Sequence, residues 1–223
     1  MLSPRILACA DLVTPGGCVC DVGTDHAKLA VHLLTSGRAH SAIASDIGEG
    51  PLGSARKTIE ANGLIGRIRT ILSDGLTQVP PEGLTDIVIA GMGGETIIHI
   101  LESCPWQEEL RTMRLILQPM TRAALLREWL YENGFAIREE RCVREGKFLY
   151  AVMAVTSDVP RRADAVLIWL GRMDLHDPDC LAYAQRQARF LQQTARARAD
   201  AGTPDEVLTA AAAAVTKRLE EFT

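Results

Sequence analysis

The sequence predicts an α/β protein with a mostly parallel sheet, a C-terminal antiparallel strand hairpin and a small all-α domain. Five short apolar strands alternate with helical segments up to residue 134. Near-continuous Val, Ile and Leu strands joined by helices are typical of a parallel sheet covered on both faces. Two more strand-like segments, 135–143 and 148–156, are separated by four residues, too few for a parallel crossover, so they must pair antiparallel.

Each strand and helix is indicated by its own local pattern. The predicted parallel strands cover residues 18–22, 41–47, 67–72, 86–90 and 114–117. The predicted helices cover residues 26–36, 51–62, 95–102 and 121–133. Pro51 suits a first helical position, Thr121 is a suitable cap, and Gly63 and Gly134 follow the residues where two helices should end.

The residues after 157 predict a separate helical hairpin, so we divide the chain into domains 1–157 and 158–223. Apolar residues at helical spacing between 181 and 195 indicate the first tail helix, which Gly202 can end. The run Thr203-Pro204-Asp205-Glu206 predicts a second helix with Thr203 as its cap. A tight turn between two amphipathic helices favours an antiparallel pair.

Composition excludes several classes of protein. The chain is 47% hydrophobic and 23% charged with a net charge of −4, a balance typical of folded globular proteins rather than disordered ones. No apolar run approaches the roughly 20 residues of a membrane span, and the first residues lack a signal-peptide pattern. Six cysteines show no zinc-ligand spacing. We therefore expect a cytoplasmic, reduced protein without metal or membrane partners.

The end of the first strand carries the first candidate binding turn, Asp21-Val22-Gly23-Thr24-Asp25-His26-Ala27. Gly23 permits close approach of a ligand, and the following helix offers free N–H groups. The dinucleotide fingerprint G-x-G-x-x-G is absent, and two carboxylates would repel a pyrophosphate. They suit a cationic ligand such as the methionine part of S-adenosylmethionine. The alternative is a sharp structural turn with Asp25 as a helix cap.

The other strand ends carry further polar or glycine-rich residues. Asp46 ends the second strand, where open α/β folds hold ribose hydroxyls. Asp74 and Gly75 follow the third strand and could accept an adenine amino group. After the fourth and fifth strands come residues at the edge where such sheets bind ligands, namely Gly91, Met92, Gly93 and Gln118. Each motif alone is also compatible with a structural turn.

Together these motifs resemble the bacterial tRNA (adenine(22)-N1)-methyltransferase family, TrmK, across residues 1–157. The resemblance is carried by Leu2-Ser3-Pro4-Arg5, the Asp21 turn, Ala42-Ile43-Ala44-Ser45-Asp46, Gly50-Pro51-Leu52, Ser73-Asp74-Gly75-Leu76, Ile89-Ala90-Gly91-Met92-Gly93-Gly94 and Leu115-Ile116-Leu117-Gln118-Pro119-Met120. It implies a Rossmann-like class I methyltransferase fold with a helical, coiled-coil-like tail. It also implies S-adenosylmethionine as cofactor, tRNA as partner and methylation of N1 of adenine 22.

The resemblance also implies roles for individual residues. Asp21, Gly23, Asp25 and His26 would surround the methionine part of the cofactor. Asp46 would contact the ribose, and Asp74 with Gly75 would lie beside the adenine. The loop of Gly91, Met92 and Gly93 would line the same pocket. His26 and Gln118 are candidate positioning partners of the target base rather than general bases, because N1 of adenine has a free lone pair.

Basic clusters are the candidate RNA contacts. Arg186, Arg189, Arg196 and Arg198 lie on the first tail helix with no acidic residue between them, and a second cluster on the strand hairpin includes Arg138, Arg141, Arg144 and Lys147. A solvated helix face is the alternative for the tail, and we interpret Trp129, Trp169 and Phe190 as core residues. Two other functions stay open: a methyltransferase with another RNA or a small-molecule acceptor, and a non-catalytic protein that binds S-adenosylmethionine or RNA. The sequence is compatible with a monomer.

Overall fold

Seven strands form one mixed sheet in the computed structural model, which describes residues 2–222. The strands are β1 (Gly17–Val22), β2 (Ala39–Asp46), β3 (Ile68–Leu72), β4 (Asp86–Gly93), β5 (Arg114–Thr121), β6 (Phe135–Glu145) and β7 (Phe148–Ser157). Their order is β3-β2-β1-β4-β5-β7-β6. Strands β1 to β5 pair in parallel, whereas β7 is antiparallel to β5 and β6. The predicted fold class is confirmed.

Helices cover both faces of the sheet and form the tail. They are α1 (Pro4–Leu12), α2 (Lys28–Thr35), α3 (Glu49–Ala61), α4 (Gly94–Glu102), α5 (Gln107–Leu110), α6 (Ala123–Glu132), α7 (Ala165–Leu170), α8 (Pro178–Asp200) and α9 (Glu206–Glu220). Buried side chains of α1, α2 and α3 pack on one face, and those of α4, α5 and α6 on the other. Neighbouring strand residues alternate between these cores: Val19 faces the first and Cys20 the second, as period-two geometry requires.

Several predicted boundaries were wrong. Strand β4 continues to Gly93 and β5 to Thr121, because the two strands stay paired through two register shifts. Thr121 therefore belongs to β5, and the residue before α6 is Arg122, which has a left-handed φ of 55°. Thr203 does not cap α9; the carboxylate of Asp205 does, by accepting from the backbone N–H of Leu208.

Two predicted helix starts also move. Helix α2 begins only at Lys28, because His26 and Ala27 both adopt left-handed backbone angles, with φ of 57° and 56°. Helix α3 begins at Glu49, so Pro51 is its third residue rather than its first. Pro51 is still tolerated there, because the first turn of a helix has no internal acceptor for its missing N–H.

A buried ion pair joins the sheet to the tail. The side chains of Arg127 on α6 and Glu140 on β6 are both completely buried, with Arg127 Nη2 2.7 Å from Glu140 Oε1. Arg127 Nη1 donates to the carbonyl oxygen of Ile168, and Nη2 donates to the Tyr183 hydroxyl. Glu140 Oε2 accepts from the backbone N–H of Arg172. Burial by itself would lower the pKa of Arg127, but the Glu140 carboxylate outweighs it and raises that pKa.

The tail has an apolar core of its own and also shares the core of the sheet. Side chains of α7, α8 and α9 form a separate cluster that includes Leu170, Leu191 and Val215. Other tail residues, among them Met173 and Tyr183, belong instead to the cluster that covers the sheet. The tail is therefore fixed against β6 and α6 by both apolar and polar contacts.

Candidate functional site

The carboxyl ends of the parallel strands converge on one edge of the sheet. Strands β1 and β4 are neighbours whose chains continue in opposite directions across the sheet, and such a switch point leaves a crevice for a ligand. The backbone N–H groups of Gly23 and Thr24 both donate to Ser45 O at 2.9 Å, and Ser73 N donates to Asp46 O at 2.9 Å. These bonds bring the ends of β1, β2 and β3 together, and with them the aspartates singled out from the sequence.

Asp21 is the most deeply placed carboxylate of this edge. It lies on β1, is only 7% exposed, and accepts a hydrogen bond of 2.6 Å from Thr24 Oγ1. Burial raises the pKa of Asp21 to about 6, and the charges of Asp25 and Asp46 raise it further against the lowering effect of the Thr24 bond. A cation bound beside Asp21 would favour the ionised carboxylate.

Asp25 and His26 lie at the open side of the same turn. The Asp25 carboxylate is 2.6 Å from Lys28 Nζ and 3.5 Å from His26 Nε2, and all three side chains are substantially exposed. The bond from Lys28 lowers the pKa of Asp25. Two successive left-handed residues, His26 and Ala27, turn the chain sharply and bury Ala27 completely, so the His26 imidazole points outward. Such strained backbone is typical of ligand-binding turns.

The ends of β2 and β3 supply the second half of the edge. Asp46 Oδ1 accepts from the backbone N–H of Gly48 at 2.8 Å. Ile47, beside it, is 70% exposed, an apolar surface that sequence analysis did not single out. The Asp74 side chain is exposed, and Gly75, with φ of 57°, packs so closely on Ile100 that an added Cβ would lie 3.0 Å from it.

The glycine loop after β4 lies between the aspartates and β5. Gly91 is exposed with φ of 82°, so a side chain here would be strained. The Met92 methyl lies over Gly23, where it would meet an added Cβ at 2.2 Å. Gly94 is the most restricted position, because an added Cβ would lie 2.6 Å from Arg122 O. At Gly93 the nearest atom would be a side-chain hydroxyl at 3.4 Å.

Gln118 supports this loop from beneath. It is completely buried, and its Oε1 accepts from the backbone N–H of Gly91 at 3.1 Å and from Arg5 Nη1 at 2.9 Å. Its Nε2 donates to Pro119 O at 3.0 Å. Arg5 also lies 3.4 Å from Glu145 Oε2. No role was predicted for Arg5; only its place in the motif Leu2-Ser3-Pro4-Arg5 could have indicated one. The side-chain amide of Gln118 is thus committed to the loop and to Arg5.

The assembled edge is strongly acidic. Asp21, Asp25, Asp46 and Asp74 contribute four carboxylates, against which Lys28 and Arg5 are the nearby cations. Such an edge suits a ligand with positive charge and with hydroxyl or amino donors. Within residues 2–222 no group of three or more His, Cys, Asp or Glu side chains is arranged to hold a metal ion.

The predicted RNA contacts lie on α8 and on the strand hairpin rather than on the strand-end turns that carry the aspartates. Arg186, Arg189, Arg196 and Arg198 are all exposed on α8, and Arg198 Nη1 lies 2.6 Å from Asp205 Oδ2. On the hairpin, Arg144 Nη2 is 2.5 Å from Asp179 Oδ1, so this arginine links β6 to α8. Lys147 Nζ lies 5.4 Å from the centre of the Phe148 ring. In the part of the chain from 2 to 222, none of the helices has the length and apolar character of a membrane span.

Known proteins share both sequence and fold with this chain. A family model described as a methyltransferase domain matches residues 2–153. The tRNA (adenine(22)-N(1))-methyltransferase of Bacillus subtilis is 35% identical over 174 residues, which cover 77% of this chain and 72% of that protein. The chain belongs to the tRNA (adenine(22)-N1)-methyltransferase family. The resemblance derived from the motifs is confirmed.

Solved structures of the tRNA (adenine(22)-N1)-methyltransferase family extend the match to the tail. The structure of Streptococcus pneumoniae Sp1610 in complex with S-adenosyl-L-methionine is 33% identical in sequence and aligns with a TM-score of 0.83. The alignment covers 98% of this chain and 100% of that one. The B. subtilis M1A22 tRNA methyltransferase TrmK is 28% identical with a TM-score of 0.80, covering 99% and 96%. Since both alignments span nearly the whole chain, the helical tail is part of the shared fold.

Proposed function

We propose that this chain is an enzyme that transfers a methyl group from S-adenosylmethionine to N1 of adenine 22 in tRNA. The acidic strand edge carries the proposal: four aspartates and an open glycine loop lie at the switch point of the sheet. They do so in a chain 35% identical to a tRNA (adenine(22)-N(1))-methyltransferase. We also propose that it works in the cytoplasm, because its six cysteines are free thiols. We place the boundary between its two domains between residues 157 and 158.

The residues of the edge fit the parts of S-adenosylmethionine. This cofactor supplies a methyl group made electrophilic by a sulfonium charge. The carboxylates of Asp21 and Asp25 would hold the cationic methionine part, which restores the charge that burial disfavours at Asp21. Asp46 would accept the ribose hydroxyls and Asp74 the adenine amino group, with exposed Ile47 against the ring.

The target nitrogen decides what the protein must do. N1 of adenine carries a free lone pair, so no group has to remove a proton before it attacks the methyl carbon. The residues of the site therefore need to align the base and exclude water, for which proximity is the main source of rate. His26, outward-facing on its turn, is our proposed partner of the base. Gln118 is a positioning residue that fixes the Gly91 loop from below.

We propose that the tRNA-binding surface is the arginine face of α8. Phosphate contacts are electrostatic, so tRNA binding should weaken at least tenfold when four arginines are changed together to Gln, namely Arg186, Arg189, Arg196 and Arg198. The salt slope, which is the slope of log affinity against log salt concentration, should become shallower by about 0.9 for each lost contact. Cofactor affinity should change by less than about twofold. If the tRNA affinity and its salt slope match those of the wild type, the tRNA-binding surface lies elsewhere, and the hairpin from Arg138 to Lys147 is the next surface to change.

The function itself is tested by transfer of a labelled methyl group. The purified chain, given labelled S-adenosylmethionine and an unmodified tRNA transcript, should produce one methylated adenosine that mass mapping assigns to position 22. The matched control is the same transcript with guanine at position 22, which should stay unlabelled. Labelling of the control at an equal rate would refute the assigned position. Cofactor binding without transfer to any tRNA would refute tRNA as the acceptor.

A further inference from the structure

A groove separates the strand edge from the helical tail. Its volume is about 1180 Å³. One wall is formed by the end of β5, the start of α6 and part of β7, and the other by α7, α8 and α9. Pro119 and Met120, on the first wall, directly follow Gln118 beneath the glycine loop. The groove therefore opens beside the site proposed for methyl transfer.

Exposed apolar side chains are concentrated along this groove. Of the large apolar side chains exposed among residues 2–222, four line it, namely Met120, Leu125, Phe190 and Val207. Phe190 is 53% exposed, and its ring centre lies 6.0 Å from that of Trp169 at an angle of 36°. Both rings were predicted to be core: Trp169 is partly buried and packs against the tail cluster, whereas the prediction was wrong for Phe190. A groove lined by several exposed apolar side chains is typical of a binding surface.

One charged group of the groove, Arg186, is placed where it could meet a phosphate. Arg186 lies one helical turn before Phe190, on the same face of α8, and within the described chain it has no ion-pair partner. Arg122 lines the other wall, where it is paired with Glu95. Asp205 also lines the groove, but Arg198 neutralises it; Glu128 is the remaining acid.

We propose that this groove binds an unpaired nucleotide next to the target adenine, with its base against Phe190 and Trp169 and its phosphate near Arg186. The inference rests on the proposed function. An adenine whose N1 is enclosed in RNA structure must be exposed before transfer, and this leaves its neighbours without stacking partners. An aromatic side chain accepts the face of any base, and a free guanidinium one turn away suits the adjoining phosphate.

The test compares Phe190→Ala with Phe190→Trp in tRNA binding. Loss of a base–aromatic contact should weaken tRNA binding by about 5- to 150-fold, whereas the Trp variant should stay within about threefold of wild type. The salt slope should not change in either variant, because stacking releases no counterions; this separates the groove from the arginine face. Ile65→Ala is the matched control, since Ile65 is 72% exposed near β3, at the opposite end of the sheet.

A second measurement follows the neighbouring nucleotide directly by fluorescence. In tRNA carrying 2-aminopurine next to adenine 22, the emission of the probe should be quenched further when the wild-type protein binds, and Phe190→Ala should reverse this. Normal methyl transfer with unchanged tRNA affinity in Phe190→Ala and no quenching would overturn the groove while leaving the proposed function intact. A wild-type chain that neither binds nor methylates tRNA would overturn both. A dimer that Phe190→Ala dissociates, with tRNA affinity unchanged, would instead make the groove a contact between copies.

Discussion

The buried carboxyl of Asp21 should make cofactor affinity depend on pH. Its pKa is raised to about 6, chiefly by burial, and a cationic ligand binds the ionised form. If only that form binds, about 97% of sites are competent at pH 7.5 and about 9% at pH 5, so the Kd for S-adenosylmethionine should rise about tenfold between them. Isothermal titration at the two pH values measures this ratio.

The same carboxyl should make the cofactor-free protein less stable as pH rises, whereas it makes cofactor binding tighter. A folded pKa above the ordinary value near 3.9 means that the folded chain holds this proton more tightly than the unfolded chain. Stability of the cofactor-free protein should therefore fall as pH rises from about 4 through about 6, by up to about 3 kcal/mol from this group. Asp21→Asn removes the ionisation but keeps an oxygen that can accept from Thr24.

The Asp21→Asn variant should thus be more stable than wild type at pH 7.5, yet bind the cofactor weakly and with little pH dependence. Asp25→Asn is the matched control: Lys28 lowers the pKa of Asp25, so its charge does not change between pH 5 and 7.5. That control should keep most of the pH dependence, with a ratio somewhat below tenfold, because burial is the main cause of the raised pKa of Asp21 and the charge of Asp25 is a smaller one. Wild-type affinity that is flat across this range, or an Asp21→Asn variant that retains the slope, would refute the reasoning.

Three further changes test separate features. Asp46→Ala should weaken S-adenosylmethionine binding by about 10- to 150-fold in calorimetry, because a hydrogen bond to a charged acceptor contributes about 1.5–3 kcal/mol; an unchanged Kd would remove Asp46 from the site. Gly94→Ala should lower the melting temperature more than Gly93→Ala, because its methyl would lie 2.6 Å from a backbone oxygen rather than 3.4 Å from a side-chain hydroxyl; equal losses would contradict this. Glu140→Gln should lower the free energy of unfolding in urea by about 3–5 kcal/mol by leaving its buried arginine partner uncompensated, and a loss below about 1 kcal/mol would show that the arginine finds other compensation.

Local patterns predicted the sheet and the acidic edge well, because both depend on short-range signals. Period-two burial and buried apolar runs identify strands, and parallel strands necessarily bring their carboxyl ends to one edge. Helix α1 was not predicted, because Pro4–Leu12 lies before the first strand and outside the regular alternation of strands and helices. The extension of β5 through Pro119 could not be anticipated, since proline is disfavoured within a sheet and its pairing depends on a register shift with β4.

Contacts between distant segments account for the rest. Nothing near Arg127 in the sequence indicates a completely buried ion pair, because its partner and its carbonyl acceptors lie between 13 and 42 positions away. Phe190 follows the apolar spacing of α8 only loosely, and only the placement of α9 and α6 shows that its ring faces a groove. Arg5 reaches Gln118 across 113 positions, a separation at which sequence spacing carries no information.

The arginine–glutamate pair between α6 and β6 has a consequence for how the protein loses its structure. Its hydrogen bonds include the backbone groups of Ile168 and Arg172 and the hydroxyl of Tyr183. The tail therefore supplies the remaining hydrogen-bond partners of an ion pair that is buried under the sheet. A chain cut after residue 157 would leave that guanidinium short of acceptors. We therefore expect sheet and tail to melt in one cooperative transition, two sequence domains that form a single thermodynamic unit.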